Sequence, residues 1–219
     1  SLGCMQEVLS YQECLAIEPE LALRTSRFVG GIWTASESVA DPYRLCQAFI
    51  KSLTAMGGDV RLSTKVERIT QKSTGVVSIE SSEGPVDADV FVLSSGLKSQ
   101  TLAAQIGAFL PIQPIKGYSV TLPFKQSRRP KVSVTDLAAK AVLAPLDDHL
   151  RIAAFAEIGN DSLSVPDDRV KEMLDLAEST YPGLCDLEEP RPWAGLRPTT
   201  PQSVPIVKRW KQTNLILNV

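Results

Sequence analysis

The chain has 219 residues, with 23 Lys and Arg against 25 Asp and Glu, a formal net charge of -2 and 43% hydrophobic residues. These are globular proportions, enough for one large or two small domains at roughly 100–200 residues each. The balanced charge argues against a nucleic-acid binder, and no apolar run approaches the roughly 20 residues of a membrane-spanning helix.

In chain order, residues 4–23 are predicted to be helical, with Pro19 forcing Glu18 into an extended conformation and breaking or restarting the helix. Residues 28–33 read as a strand with a glycine irregularity at Gly30 and Gly31. The clearest helix follows. Asp41 is a good N-cap, Pro42 suits the first helical position, and Leu45, Phe49, Leu53 and Met56 repeat at helical spacing before Gly57 and Gly58 stop it. Strands are predicted at 60–63, 66–70, 76–81 and 90–94, with a turn at 82–85, then a short helix at 98–106. Further strands are read at 112–122, 132–135, 141–146 and 150–158, with a hairpin turn at 147–149. A second clear helix is read at 166–181 and a strand-rich end at 187–219. Strands outnumber helices, so the predicted class is α+β, or mixed α/β.

The single histidine, His149, excludes a His-rich zinc site and would have to serve alone in any protease-like machine. Cys4, Cys14, Cys46 and Cys185 are scattered, none at CxxC spacing. They give no metal or thiol-redox reading and suggest reduced thiols in a cytoplasmic protein.

Three segments could carry chemistry. In the stretch 87–96, an apolar strand ends in Ser94, Ser95 and Gly96, small residues that let a ligand approach the backbone. The plainer reading is a buried strand turning at a glycine. In 114–123, Lys116 and Tyr118 flank a flexible Gly117; an edge strand with a bulge, and a core tyrosine, explain them equally. In 193–201, Arg197 precedes Pro198, which holds it extended at a strand end, where a guanidinium suits bidentate capture of a carboxylate. A solvated or structurally paired arginine is the alternative.

The order of several segments carries a resemblance: Cys14-Leu-Ala-Ile-Glu-Pro-Glu-Leu-Ala22, Val39-Ala-Asp-Pro-Tyr-Arg44, Gly57-Gly-Asp-Val60, Lys65-Val-Glu-Arg-Ile69, Ala88-Asp-Val-Phe-Val-Leu-Ser-Ser-Gly96, Pro114-Ile-Lys-Gly-Tyr-Ser119, Ala156-Glu157 and Trp193-Ala-Gly-Leu-Arg-Pro-Thr-Thr-Pro201. Together they resemble the D-amino acid oxidase-like superfamily of FAD-dependent oxidoreductases, nearest to the small subunit of bacterial D-amino acid dehydrogenases. The resemblance implies FAD as cofactor and hydride transfer from an amino acid Cα to flavin N5, with the imino acid then hydrolysing to a 2-oxo acid and ammonia. It implies Val66, Ser94, Ser95 and Gly96 at the FAD, and Arg197 on the substrate carboxylate; Tyr118 is a further substrate-side candidate, and Glu157, at a strand end, either faces the pocket or holds Arg197, or is a structural ion pair or an exposed acid. No acid–base triad and no metal are implied, since the flavin carries the difficult step.

There are departures. The chain's glycines never reach the GxGxxG spacing that places a pyrophosphate at a helix N-terminus, and the family's glycine-rich flavin loop is expected beyond Val219. The strand matching the one that bears an active-site tyrosine in glycine oxidase, 141–144, is aliphatic here. The expectation is therefore a portion of a longer enzyme, inactive by itself and not holding FAD tightly.

The implied organisation is a helical connecting segment (1–26), the remainder of an FAD-binding domain (27–105), a substrate domain with a largely antiparallel sheet flanked by helices (106–210), and a strand returning to the FAD domain (211–219). Partners implied by the family are an amino acid and, at the inner membrane, a quinone; a second copy of the chain is expected only where apolar surface is left without an upstream half to cover it. Two alternatives stay open: a related flavin oxidase acting on glycine, an N-methyl amino acid or a 2-hydroxy acid, and a binding module without catalysis.

Overall fold

The computed structural model describes residues 5–72, 75, 77–125 and 128–219. Cys4, the start of the first predicted helix and Val76, the start of a predicted strand, lie outside them. The class is as expected: helices combined with several mainly antiparallel sheets. Contacts divide the chain into two compact units, 1–48, 117–156 and 162–195 in the first, 49–116, 157–161 and 196–219 in the second.

The first unit opens with a correction. Glu7–Ser10, read as helix, is strand β1, paired antiparallel with β2 (Gly30–Trp33). The helix α1 (Tyr11–Ile17) begins only after Ser10, whose side chain accepts from the Glu13 N–H while the Glu13 carboxylate accepts from the Ser10 N–H at 2.8 Å. This reciprocal S-x-x-E box is a local start signal. Pro19 ends α1 as predicted, and a 3-10 turn (Pro19–Leu23) follows the extended Glu18. Glu18 is buried, and its carboxylate accepts the backbone N–H groups of Glu20, Lys131 and Val132. Three donors on one carboxylate offset the cost of burying its charge.

The body of this unit is a five-stranded sheet in the order β11-β7-β10-β9-β8. Its strands are β7 (Gln113–Pro123), β8 (Val134–Asp136), β9 (Ala141–Leu146), β10 (His149–Ile158) and β11 (Arg191–Thr199); the ends 113–116, 157–158 and 196–199 belong to the second unit. Along β7, Val120 and Leu122 are fully buried. Leu143, Leu150 and Ile152 join them, and α4 (Asp167–Thr180) packs Met173 and Ala177 into the same cluster. Alternate burial at period two marks a sheet covered on this face by a helix. The β9–β10 hairpin turns at Asp147, with φ 51°, and Asp147 pairs with Arg44.

The helix α2 (Pro42–Ala55) runs from the first unit into the second. It is capped as expected, with Asp41 Oδ1 accepting from the N–H groups of Tyr43 at 2.9 Å and Arg44 at 3.3 Å. At the other end Gly57 takes φ 86° and the Gly58 N–H donates to the Leu53 carbonyl. Its apolar stripe is nonetheless exposed, with Phe49 at 64%.

The second unit holds two small sheets. One is an antiparallel meander of β3 (Val66–Gln71), β4 (Val77–Ser81) and β5 (Gly84–Val86). The strand predicted at 60–63 does not form: Arg61 pairs with Asp59 in a turn and Ser63 has φ 62°. The predicted turn at 82–85 is tighter than read, since β5 begins at Gly84. The other sheet has the order β12-β13-β6, from β6 (Phe91–Leu93), β12 (Val207–Arg209) and β13 (Leu215–Asn218), with β13 parallel to β6. Phe91, Leu93, Leu215 and Leu217 meet Leu102 and Ala103 of α3 (Lys98–Ala104) in this unit's core.

Candidate functional site

The parallel pair β6–β13 determines where a ligand can meet this unit's backbone. In open sheets with parallel strands, ligands sit beyond the carboxyl ends of those strands. At that end of β6 the chain continues through Ser94 and Ser95, both exposed, to Gly96 at φ 55°, then enters α3. A side chain at Gly96 would meet nothing within 4 Å, so glycine is required there by the backbone angle and not by crowding. The turn is pinned from below: the Ser95 N–H donates to Ser99 Oγ at 2.9 Å, and the Ser99 N–H donates to the Gly96 carbonyl at 3.1 Å. Ser99 is fully buried and is a residue that the sequence reading missed; a serine four residues after the strand end is the signal that could have found it.

Of the predicted cofactor residues, the structure brings two together. Val66, at the start of β3, and Ser95 line one cleft of about 70 Å³ with Ile69, Ile79 and Val92. A register irregularity between Val66 and Arg68 bends β3 at this point. The walls are mostly aliphatic with one hydroxyl at the rim, chemistry that suits the flat face of a heteroaromatic ring beside a strand end. Ser94 and Gly96 adjoin the cleft in sequence without lining it. A larger depression of about 380 Å³, lined by Lys72, Asp87 and Asp89 among others, contains none of the predicted residues. The smaller cleft is taken as the candidate because Ser95 of the exposed strand end lines it and the positive-φ Gly96 follows directly in sequence. These features fit the sugar or base end of a dinucleotide such as FAD. The backbone donors that would cradle a pyrophosphate are not among them.

Of the residues expected at the substrate, Arg197 is exposed on β11 in the second unit, and among the described residues no carboxylate or carbonyl accepts from its guanidinium. Two residues upstream, a β-carbon at Gly195 would collide with the Trp193 indole. The tryptophan therefore folds back along its own strand, which explains the glycine of the Trp-Ala-Gly-Leu-Arg run. Glu157, at the end of β10, is half-buried and accepts from Asn160 Nδ2 at 2.9 Å. Tyr118 is 3% exposed in the first unit's core, its ring edge-on to Phe155 with centroids 6.0 Å apart. That packing is the core-aromatic alternative raised from the sequence. Phe155 itself has φ 66° within β10, an irregularity two residues before Glu157.

Comparison with known proteins shows what the chain is similar to. The family model described as FAD dependent oxidoreductase (DAO) matches residues 1–219. D-amino acid dehydrogenase 2 of Pseudomonas aeruginosa is 38% identical over 216 residues, covering 98% of the chain and 51% of the relative. D-amino acid dehydrogenase of Vibrio vulnificus is 30% identical over 217 residues, covering 99% and 52%. The chain thus spans about half the length of these curated relatives. In three dimensions it is similar to glycine oxidase from Geobacillus kaustophilus (TM-score 0.85, 22% identity, covering 99% of the chain and 58% of that structure). It is also similar to L-proline dehydrogenase from P. horikoshii (TM-score 0.83, 20% identity, covering 99% and 59%). At those identities the structural likeness concerns the fold.

Proposed function

The chain belongs to the DAO family of FAD-dependent oxidoreductases, and from that premise we propose that it is part of an enzyme that oxidises D-amino acids. The observation that carries this reading is identity of 30% and above to D-amino acid dehydrogenases along almost the whole chain. FAD, when bound, supplies the acceptor for the hydride leaving the substrate Cα.

The chain's own residues have three tasks. Val66 and Ser95 form a wall against the adenosine end of the cofactor, and Ser94 and Gly96 leave the strand end open to it. Arg197, extended before Pro198, grips the substrate carboxylate through its planar fork and so orients Cα. Glu157, held by Asn160, and Tyr118, held against Phe155, keep the strands that border the substrate in position.

The reading also includes electron delivery to a quinone, peripheral association with the inner membrane from the cytoplasm, and self-association. Among the described residues no helix is long and apolar enough to cross a membrane.

Glycine, N-methyl amino acids and 2-hydroxy acids all present the same carboxylate to Arg197. The deciding experiment is therefore a substrate panel on the full-length enzyme, with dye reduction by D-alanine compared with glycine, sarcosine and D-lactate. Preference for D-alanine and other D-amino acids is expected; preference for any of the other three overturns the assignment.

A further inference from the structure

Charge is distributed unevenly along the chain. Residues 190–219 contain Arg191, Arg197, Lys208, Arg209 and Lys211 but no Asp or Glu, although the whole chain has a net charge of -2. Three of these five charges lie within four residues, on the β12–β13 hairpin of the second unit. β12 is the edge strand of its sheet, and all three of its residues are exposed.

The hairpin is held in one shape. Leu215 and Leu217 of β13 are fully buried, the Trp210 N–H donates to the Leu215 carbonyl at 2.9 Å, and Asn214 Oδ1 accepts the Val77 N–H at 2.8 Å. Its charges are therefore presented from a fixed base. Arg209 Nη1 donates to the Thr213 carbonyl at 2.9 Å, and the Lys211 ammonium lies 4.9 Å from the centroid of the Trp210 ring. Neither contact neutralises a charge. Among the described residues Lys208, Arg209 and Lys211 form no ion pair. Asp87 and Asp89, in the loop leading into β6, line a depression with Lys72 instead.

Apolar surface accompanies the cations. Directly opposed residues of an antiparallel pair share one side of the sheet. Val207 faces Asn218 and Arg209 faces Ile216, so both lie on the side away from the core that Leu217 enters opposite Lys208. Val207 is 66% exposed there, and Val204 is exposed just before the strand. A lysine on an edge strand also discourages strand pairing, which accounts for Lys208. It does not account for Arg209, Lys211 or the missing acids. Cations flanked by aliphatic side chains and a half-buried indole match the boundary of an anionic bilayer, where headgroups meet hydrocarbon. A single-stranded nucleic acid would instead need an open aromatic face, and Lys211 lies over that of Trp210.

We propose that the β12–β13 hairpin, through Lys208, Arg209, Lys211 and Val207, is the surface by which the enzyme meets an anionic phospholipid bilayer. This rests on the membrane association in the proposed function and adds to it the place of contact.

The test is sedimentation of the full-length enzyme with vesicles of phosphatidylcholine alone or mixed with phosphatidylglycerol. Binding to the mixed vesicles is expected, reduced by salt and absent on phosphatidylcholine. Lys208→Gln and Lys211→Gln should each weaken it about fivefold and together about 25-fold. Val207→Ser should weaken it by a smaller factor, and Lys140→Gln, at an exposed lysine of the first unit, should leave it unchanged. All four side chains are exposed, so the variants keep the fold. An enzyme that binds neither kind of vesicle overturns the membrane association itself. Binding to mixed vesicles that is equal in the double variant, or lowered as much by Lys140→Gln, leaves that association standing and overturns the hairpin's part in it. Equally tight binding to duplex DNA assigns the surface to polyanions in general and overturns the lipid assignment.

Discussion

The buried hydroxyl of Ser99 accepts the backbone N–H of Ser95 at 2.9 Å, so the strand end proposed to face the cofactor is set by a residue that is itself enclosed. Ser99→Ala removes the acceptor and leaves the Ser95 N–H to water. The expected cost is about 1 kcal/mol of stability, the ordinary net worth of such a bond. In the full-length enzyme, loosening of the turn at Gly96 should raise the FAD dissociation constant while leaving KM for the amino acid unchanged. Flavin fluorescence titration with parallel kinetics checks both; unchanged flavin affinity would separate Ser99 from the cofactor site.

Arg197 is the residue through which the substrate reading is most directly tested. In the full-length enzyme, Arg197→Ala should lower kcat/KM by about 2–4 kcal/mol, roughly 30- to 1000-fold, the worth of a charged two-bond contact. Arg197→Lys should recover only part, because an ammonium lacks the planar fork. Steady-state kinetics that do not change in either variant would remove Arg197 from the site.

Asp136 makes the first unit sensitive to acid. The N–H of Ala139 holds its carboxyl below the ordinary 3.8; burial opposes this, and the Arg24 guanidinium and the Ala138 N–H reinforce it. With the native pKa lowered, the unfolded chain takes up the proton first. The stabilisation is therefore complete above the unfolded value and is lost as pH falls through the lower native one. Urea midpoints measured from about pH 5 down to about pH 2 should fall less steeply in Asp136→Asn than in the parent. Parallel curves would contradict the shift.

The thiols differ in exposure. Cys46 is exposed, whereas Cys14 and Cys185 are buried and free, and burial pushes the Cys185 thiol up to about 12. Because the thiolate is the nucleophile, Cys185 should resist iodoacetamide at pH 8 in the folded chain and react only after denaturation. Peptide mapping of the alkylated protein should find label at Cys46 under native conditions and at neither buried thiol.

Lys140 sits at φ 51° in the exposed turn before β9. A non-glycine residue pays about 1–2 kcal/mol there, and glycine returns part of that through its unfolded-state entropy. Lys140→Gly should stabilise the protein by up to about 1 kcal/mol, read from the denaturant midpoint.

The features legible in the sequence are those whose cause lies within a few residues. Asp41 and Gly57 bound α2 because a cap and a left-handed stop act on adjacent N–H and C=O groups. Pro19 ended α1 for the same reason, and the ordered motifs identified the family without any contact being known. Tertiary structure decided what depends on distant partners. Glu7–Ser10 is a strand because 30–33 lies beside it, not because of its own composition. The parallel pairing of β13 with β6 joins segments more than a hundred residues apart, and the packing of that sheet with β3 puts Ser95 and Val66 on one cleft. Burial followed the same rule: Lys116 is wholly enclosed although lysine is a surface residue by type, and the apolar stripe of α2 is exposed although its period suggested a core face. A helix cap is satisfied by its own neighbours in the chain, whereas a strand's hydrogen bonds and a side chain's burial are completed only by whatever the rest of the fold brings to them.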